Sequence, residues 1–246
     1  MPPRTCIFWK CAQNKDMNRK IGAFTAFMII FSAILMHYFG LLAQSTQMKI
    51  SYADSNQSCV YLTFDDGPSD RVTPKILDTL KDEGVKATFF IVGKSAETRR
   101  PIVKRAFDEG HTIGVHSYTH DYKSIYASPA ALLSDIERCN ALIEDITGVK
   151  SAVYRFPGGS FNLSGELVGA VTGAGYRYVD WNASVRDAEM ANATAADLLN
   201  AAKSSSADRN HVVLLCHDST NKTSTAAALK DIIAYFRGAG YEFKAF

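Results

Sequence analysis

Between Cys59 and Phe246 short apolar runs alternate with segments of helical periodicity, and this alternation limits the fold more than any other feature. The apolar runs are CVYLTF, KATFFIV, HTIGVH, SAVYRF, YRYVDW, HVVLLCH and YEFKAF. Most are separated by helical segments: VTPKILDTLKDEG, ETRRPIVKRAFDEG, SPAALLSDIERCNALIEDITG, SGELVGAVTGAG, TAADLLNAAKSS and STAAALKDIIAYFRGAG. Gly84, Gly110 and Gly148 are natural helix stops, while Ser128 and Pro129 suit a cap and a first helical turn. About seven strands interleaved with helices require a parallel sheet with right-handed crossovers. Several runs are apolar throughout, as strands covered on both faces must be. A barrel and an open doubly wound sheet both meet these demands. DDGPSD follows the first strand where a dinucleotide-binding sheet would carry its glycine-rich turn, so an α/β barrel is preferred. In such a fold the chemistry collects at the C-terminal ends of the strands.

Ahead of this part, residues 21–43 (IGAFTAFMIIFSAILMHYFGLLA) contain no Asp, Glu, Lys or Arg and are long enough to span a bilayer. Residues 1–20 carry Arg4, Lys10, Lys15, Arg19 and Lys20 against Asp16 alone, a basic flank that stays cytoplasmic. The expectation is a single-pass signal anchor in the cell membrane, a polar linker over 44–58, and an extracellular domain over 59–246. A cleaved secretory signal, leaving a secreted protein, is the rival reading; its apolar region is usually shorter. The whole chain has 27 basic and 25 acidic residues. Setting the flank aside leaves 22 and 24, a net charge of −2, so no basic footprint for nucleic acid is present. Nothing in the sequence points to a protein partner. Of five cysteines, Cys59, Cys139 and Cys216 lie in the outer part, far apart and without CxxC spacing. A disulfide framework and a cysteine zinc site are both disfavoured, although one pair could bond. Cys216, inside an apolar run, reads as a small core residue.

The strand ends are loaded with ionisable groups. Asp65 and Asp66 end the first strand, His116 the third, with His120 four residues on, Arg155 the fourth and His217 the sixth; Asp187 lies in the loop after the fifth. Two histidines at i and i+4 project from one side of a helical turn and can share a metal. One carboxylate with two imidazoles suits zinc and leaves a position open for water. The second carboxylate is then placed to take a proton from that water. Arg155 could hold this carboxylate ionised, and Gly158 and Gly159 could aim backbone N–H groups at an oxyanion, or simply form a tight turn. His217 could act as a general acid with Asp187 fixing its tautomer.

TFDDG, HSYTH, RFPGG and LLCHD, in this order, resemble the polysaccharide deacetylases, carbohydrate esterase family four, also called the NodB-homology domain. The resemblance covers Cys59 to Phe246. It implies a distorted (β/α) barrel with a surface groove, and hydrolysis of N-acetyl groups on a polymeric sugar to a free amine and acetate. It implies zinc as the metal, with another divalent transition metal such as cobalt as the alternative. Carried onto matching positions, Asp65 resembles the catalytic base, and Asp66, His116 and His120 the metal ligands. Arg155 resembles the residue that positions the base, His217 the acid, Asp187 its partner, and Leu215 part of the pocket for the acetyl methyl. Many members carry an aromatic residue where Gly158 stands, so a wall of the pocket is expected to be missing. The fourth motif often reads Asp-Trp where this chain has Asp187-Ala188; Trp181 either takes over sugar stacking or belongs to the core. An outward-facing anchor, RFPGGS and DWN favour N-acetylglucosamine of peptidoglycan as the substrate. N-acetylmuramic acid in peptidoglycan, chitin-like oligomers, and acetylated xylan or exopolysaccharide follow, with a non-catalytic wall-binding module and a small-amide hydrolase as other classes.

Overall fold

The structure, a computed structural model, describes residues 57–246. The basic segment, the expected membrane anchor and nearly all of the linker lie outside the described residues. Among the described residues no helix is long and apolar enough to cross a membrane.

The strands are β1 (Cys59–Asp65), β2 (Thr88–Val92), β3 (Thr112–Ser117), β4 (Val153–Tyr154), β5 (Arg177–Tyr178), β6 (Ala183–Ser184), β7 (His211–His217) and β8 (Glu242–Lys244). The helices are α1 (Thr73–Asp82), α2 (Gly93–Glu97), α3 (Arg100–Asp108), α4 (Tyr122–Ile125), α5 (Pro129–Thr147), α6 (Gly165–Gly173), α7 (Ala195–Ser206) and α8 (Thr223–Gly238). Local chemistry sets several of these limits. Ser128 accepts the Ala131 N–H at 3.1 Å, Pro129 opens α5, and Gly148 closes it at φ +82° while bonding the Glu144 carbonyl. Thr194 and Asp197 form a reciprocal capping box at the start of α7.

All strand pairs are parallel, in the order β5-β4-β3-β2-β1-β7-β6, with β8 against the start of β1. The two ends of this path lie on one stretch of chain. Arg177 and Val179 donate to β4-side carbonyls, Ala152 and Tyr154, while Asn182 and Val185 donate to Val213 and Leu215 of β7. A single extended segment, residues 177–185, therefore bonds both edges and curls the sheet back on itself. This is the distorted α/β barrel of about seven parallel strands, with one difference. The sequence run YRYVDW was expected to end at Trp181, but the segment continues through the short β6.

Side chains alternate across the strands. Val60, Leu62 and Phe64 of β1, and Val212, Leu214 and Cys216 of β7, face the helices and join the main core. Phe90, Val153, Val179 and Val213 face inward as a second, smaller cluster, with Tyr61, Trp181 and Phe246 at its margin. Gly114 belongs to this narrow interior, since a Cβ there would fall 2.5 Å from Phe90. The same inward phase carries Thr63 and Asp65 on β1, Arg155 after β4, and Leu215 and His217 on β7 toward the C-terminal mouth. Cys59, Cys139 and Cys216 are free and buried, so none of them forms a disulfide. Cys216 is fully buried and burial pushes its thiol well above the ordinary range, as suits a core residue.

Candidate active site

Two adjacent carboxylates end β1, and the fold gives them opposite surroundings. Asp65 continues the inward phase of the strand and is 3% exposed. Its Oδ1 accepts from Arg155 Nη1 at 2.9 Å. Arg155 is wholly buried, and each nitrogen of its guanidinium donates: Nε to the Val179 carbonyl, Nη1 also to Thr63 Oγ1, and Nη2 to the Asp180 carbonyl. Its charge also lies 4.3 Å above the Phe90 ring. A buried ion pair held in this way has one geometry, and Asp65 is fixed with it.

Asp66 turns away from Asp65 because its backbone is left-handed, φ +74°. Its Oδ1 lies 3.5 Å from His116 Nε2 and 3.1 Å from His120 Nε2. Burial works against the Asp66 anion, but the two imidazoles overcome it and hold the carboxyl well below the usual carboxylate range. The histidines do not share a helical turn as their spacing suggested. His116 belongs to β3, and His120 sits in the following loop at φ +56°. Asp135 of α5 shapes that loop. It accepts from Ser117 Oγ (2.6 Å) and the Tyr118 N–H (2.7 Å) through one oxygen, and from the Thr119 N–H (3.0 Å) and Oγ1 (2.8 Å) through the other. Ser117 Oγ then accepts the His120 N–H at 2.8 Å.

These three residues fit a metal. Their ligand atoms lie within 4.8 Å of one another. The separations of 3.1 and 3.5 Å bracket the edge of a tetrahedron with metal bonds of about 2.0–2.1 Å, which is about 3.3 Å. His116 Nδ1 donates to the Arg155 carbonyl at 2.8 Å, which fixes the ring with Nε2 facing Asp66. A carboxylate and two imidazoles in this arrangement could hold a divalent metal ion with a coordination position open.

The register β1·β7 sets Asp65 beside His217. His217 Nδ1 donates to Asp187 Oδ1 at 2.7 Å, so its Nε2 is turned away from Asp187. The second Asp187 oxygen accepts from the His217 N–H (2.9 Å) and Thr225 Oγ1 (2.8 Å). The loop holding Asp187, which spacing alone could not place, is thus tied to β7 and α8. Burial disfavours the imidazolium, but Asp187 outweighs it, with Asp65 and Asp66 adding, and raises the His217 pKa above the ordinary value.

The turn after Arg155 is a tight turn with Gly158 at φ +77°, closed by the Gly159 N–H on the Phe156 carbonyl at 2.8 Å. The expectation that both glycines offer N–H groups therefore needs correcting: that of Gly159 is spent in the turn. Gly158 is exposed, and its N–H has no hydrogen-bond partner among the described residues. Tyr126 Oη donates to the Pro157 carbonyl at 2.7 Å, and Asp180 accepts from the Ser160 N–H and hydroxyl. Leu215 is buried on the inward face of β7, two residues before His217. Trp181 is half-buried at the margin of the inner cluster, with its ring edge-on to Phe161 at 5.4 Å. The structure thus brings the candidate residues to one mouth of the barrel.

Three nearby residues escaped sequence reasoning. Asp135 sits on the apolar stripe of α5 with Leu132, Ile136 and Cys139, and an acid on such a stripe is the signal that could have found it. Asp180 adjoins Trp181. Asp218 is buried with its Oδ2 on Thr73 Oγ1 at 2.6 Å, and burial pushes its carboxyl up to about 7. Gly67 is required beside it, because a Cβ there would lie 2.1 Å from the Asp218 carboxylate. Asp135→Asn is expected to weaken divalent-metal binding by about 10–100-fold, because one face of the loop cradle becomes a donor. Competition against a chromophoric chelator measures this, and an unchanged affinity would remove Asp135 from the ligand-positioning role.

A family model of polysaccharide deacetylases matches residues 52–179. The chain is 35% identical over 209 residues to YheN of Bacillus subtilis, covering 82% of this chain and 71% of that protein. It is 34% identical over 186 residues to the peptidoglycan-N-acetylglucosamine deacetylase PgdA of Listeria monocytogenes, covering 75% of this chain and 37% of that longer protein. Among solved structures, the catalytic domain of peptidoglycan N-acetylglucosamine deacetylase from Eubacterium rectale superposes with a TM-score of 0.73 at 32% identity, covering 79% of this chain and 90% of that one.

Proposed function

Since the chain belongs to the polysaccharide deacetylase family, carbohydrate esterase family four, we propose that it is a zinc-dependent hydrolase that removes N-acetyl groups from N-acetylglucosamine of peptidoglycan, releasing acetate. The observation that carries this reading is the split between the two acids: Asp65 paired with a buried arginine beside His217, and Asp66 paired with two imidazoles.

Asp66, His116 and His120 would hold a zinc ion, which would supply an acidified water and polarise the acetamide carbonyl. Asp65, oriented by Arg155, accepts the proton of the attacking water. The Gly158 N–H donates to the oxygen on which negative charge develops. Nε2 of His217 delivers the proton to the departing sugar nitrogen, and the Asp187 charge keeps the imidazole protonated for that step. Leu215 bounds the space for the acetyl methyl, and Trp181 supports the sugar side of the mouth. Residues 21–43 anchor the enzyme in the cell membrane with the catalytic domain outside.

Asp187→Asn gives a signed test of the acid. With the charge gone, burial dominates and the His217 pKa falls. The basic limb of the pH–rate profile should move about 1–2 units toward acid. The same raised pKa stabilises the native fold below the unfolded-state histidine pKa, and this contribution fades as pH rises through the native value. A basic limb that stays in place would assign it to another group. The substrate is tested by acetate release from peptidoglycan and chitin oligomers side by side. Release from peptidoglycan is expected, and release from chitin oligomers alone would overturn the polymer assignment.

A further inference from the structure

Among the described residues the large apolar side chains left exposed are Tyr122, Val149 and Phe161, and two of these flank the Gly158-Gly159 turn. On one side, a Cβ added at Gly158 would lie 3.1 Å from Tyr122 Cε1 and 3.2 Å from its hydroxyl. On the other, a Cβ at Gly159 would lie 2.6 Å from Phe161 Cε2 and 3.1 Å from Trp181 Cη2. The two glycines are thus the floor of a short trench between aromatic walls. The Tyr122 ring fills the space where a side chain at position 158 would project, so the missing wall expected from the sequence is replaced from another element.

The ring is also held. It packs edge-on against the ligand residue His120 at 5.4 Å and against Tyr126 at 5.9 Å, and Tyr126 is itself bonded to Pro157. Its short helix α4 is capped by Asp121 and anchored by the buried Ile125. Yet Tyr122 remains 48% exposed, and its hydroxyl makes no hydrogen bond with the described residues. A flat apolar face held rigid beside a reactive centre costs little conformational entropy to use. Pyranose rings present a patch of C–H groups that suits such a face, while their hydroxyls remain in water.

We propose that Tyr122 is a substrate-contacting, specificity-determining residue, whose ring forms the wall of the glycan cleft on the metal side in place of a side chain at Gly158. This rests on the deacetylase reading above and names the residue that selects a sugar polymer at that site. The test is steady-state acetate release by the full-length, zinc-loaded enzyme from peptidoglycan glycan strands stripped of stem peptides. The variants are Tyr122→Ala, Tyr122→Phe and, as a distant control on an exposed apolar residue, Val149→Ala. Tyr122→Ala should raise KM about tenfold with a smaller change in kcat, while Tyr122→Phe, which keeps the ring, should stay within about twofold of wild type. A Tyr122→Ala KM within twofold of wild type overturns the proposal. So does a Tyr122→Phe loss as large as that of Tyr122→Ala, which would assign the effect to the hydroxyl. A wild-type enzyme that releases no acetate from the strands brings down the functional reading and this inference together. An active wild type matched by Tyr122→Ala brings down the inference alone.

Discussion

Asp65→Asn should lower kcat by about 10²–10⁴-fold while the protein still binds zinc. The amide has the size of the carboxylate and can still accept from Arg155 Nη1, which sits 2.9 Å from Oδ1. It cannot take a proton from water. The substitution also leaves the buried Arg155 cation without its counter-charge, so some stability is lost; Thr63, Val179 and Asp180 still hold the guanidinium in place. Zinc stoichiometry and kcat measured on the same preparation separate the two roles of the acid pair. Turnover within tenfold of wild type would mean that another group is the base.

Asp66→Ala should lose both the metal and the activity. Removing the only carboxylate leaves two neutral imidazoles as ligands. Loss of an outer-shell partner alone costs about 10–100-fold in affinity, so loss of a direct ligand should exceed about 100-fold. The position is left-handed at φ +74°, which an alanine strains, so Asp66→Asn, better tolerated there, serves as the folded comparison. Thermal unfolding of both variants distinguishes a lost ligand from a lost fold. A zinc-replete Asp66→Ala enzyme working at the wild-type rate would refute the ligand assignment.

Much of the fold was legible because its signals are local. Ser128, Pro129 and Gly148 bound α5 as their types predict, and the seven expected strands are present. What escaped were elements too short to carry a period. β6 is two residues, α4 is four and α2 is five, and β6 exists because residues 177–185 must reach β7 after leaving β4. The ionisable site residues were legible because Asp, His and Arg at strand ends have few other reasons to be there. Their partnerships were not, since they depend on register and on loops that only the tertiary structure sets. The two histidines meet through a left-handed loop tied to Asp135, not through a helical turn. The departure at Gly158 was visible in the sequence as a missing wall, but its replacement by Tyr122 depends on how α4 packs beside His120.

The most direct test of the central claim is acetate release from peptidoglycan by the purified enzyme, first as a zinc-loaded protein, then after chelation, then after zinc is restored. The account predicts release, its loss with the metal, and its return with zinc. Release that persists in the chelated, metal-free protein would contradict it, as would no release from a protein shown to carry zinc.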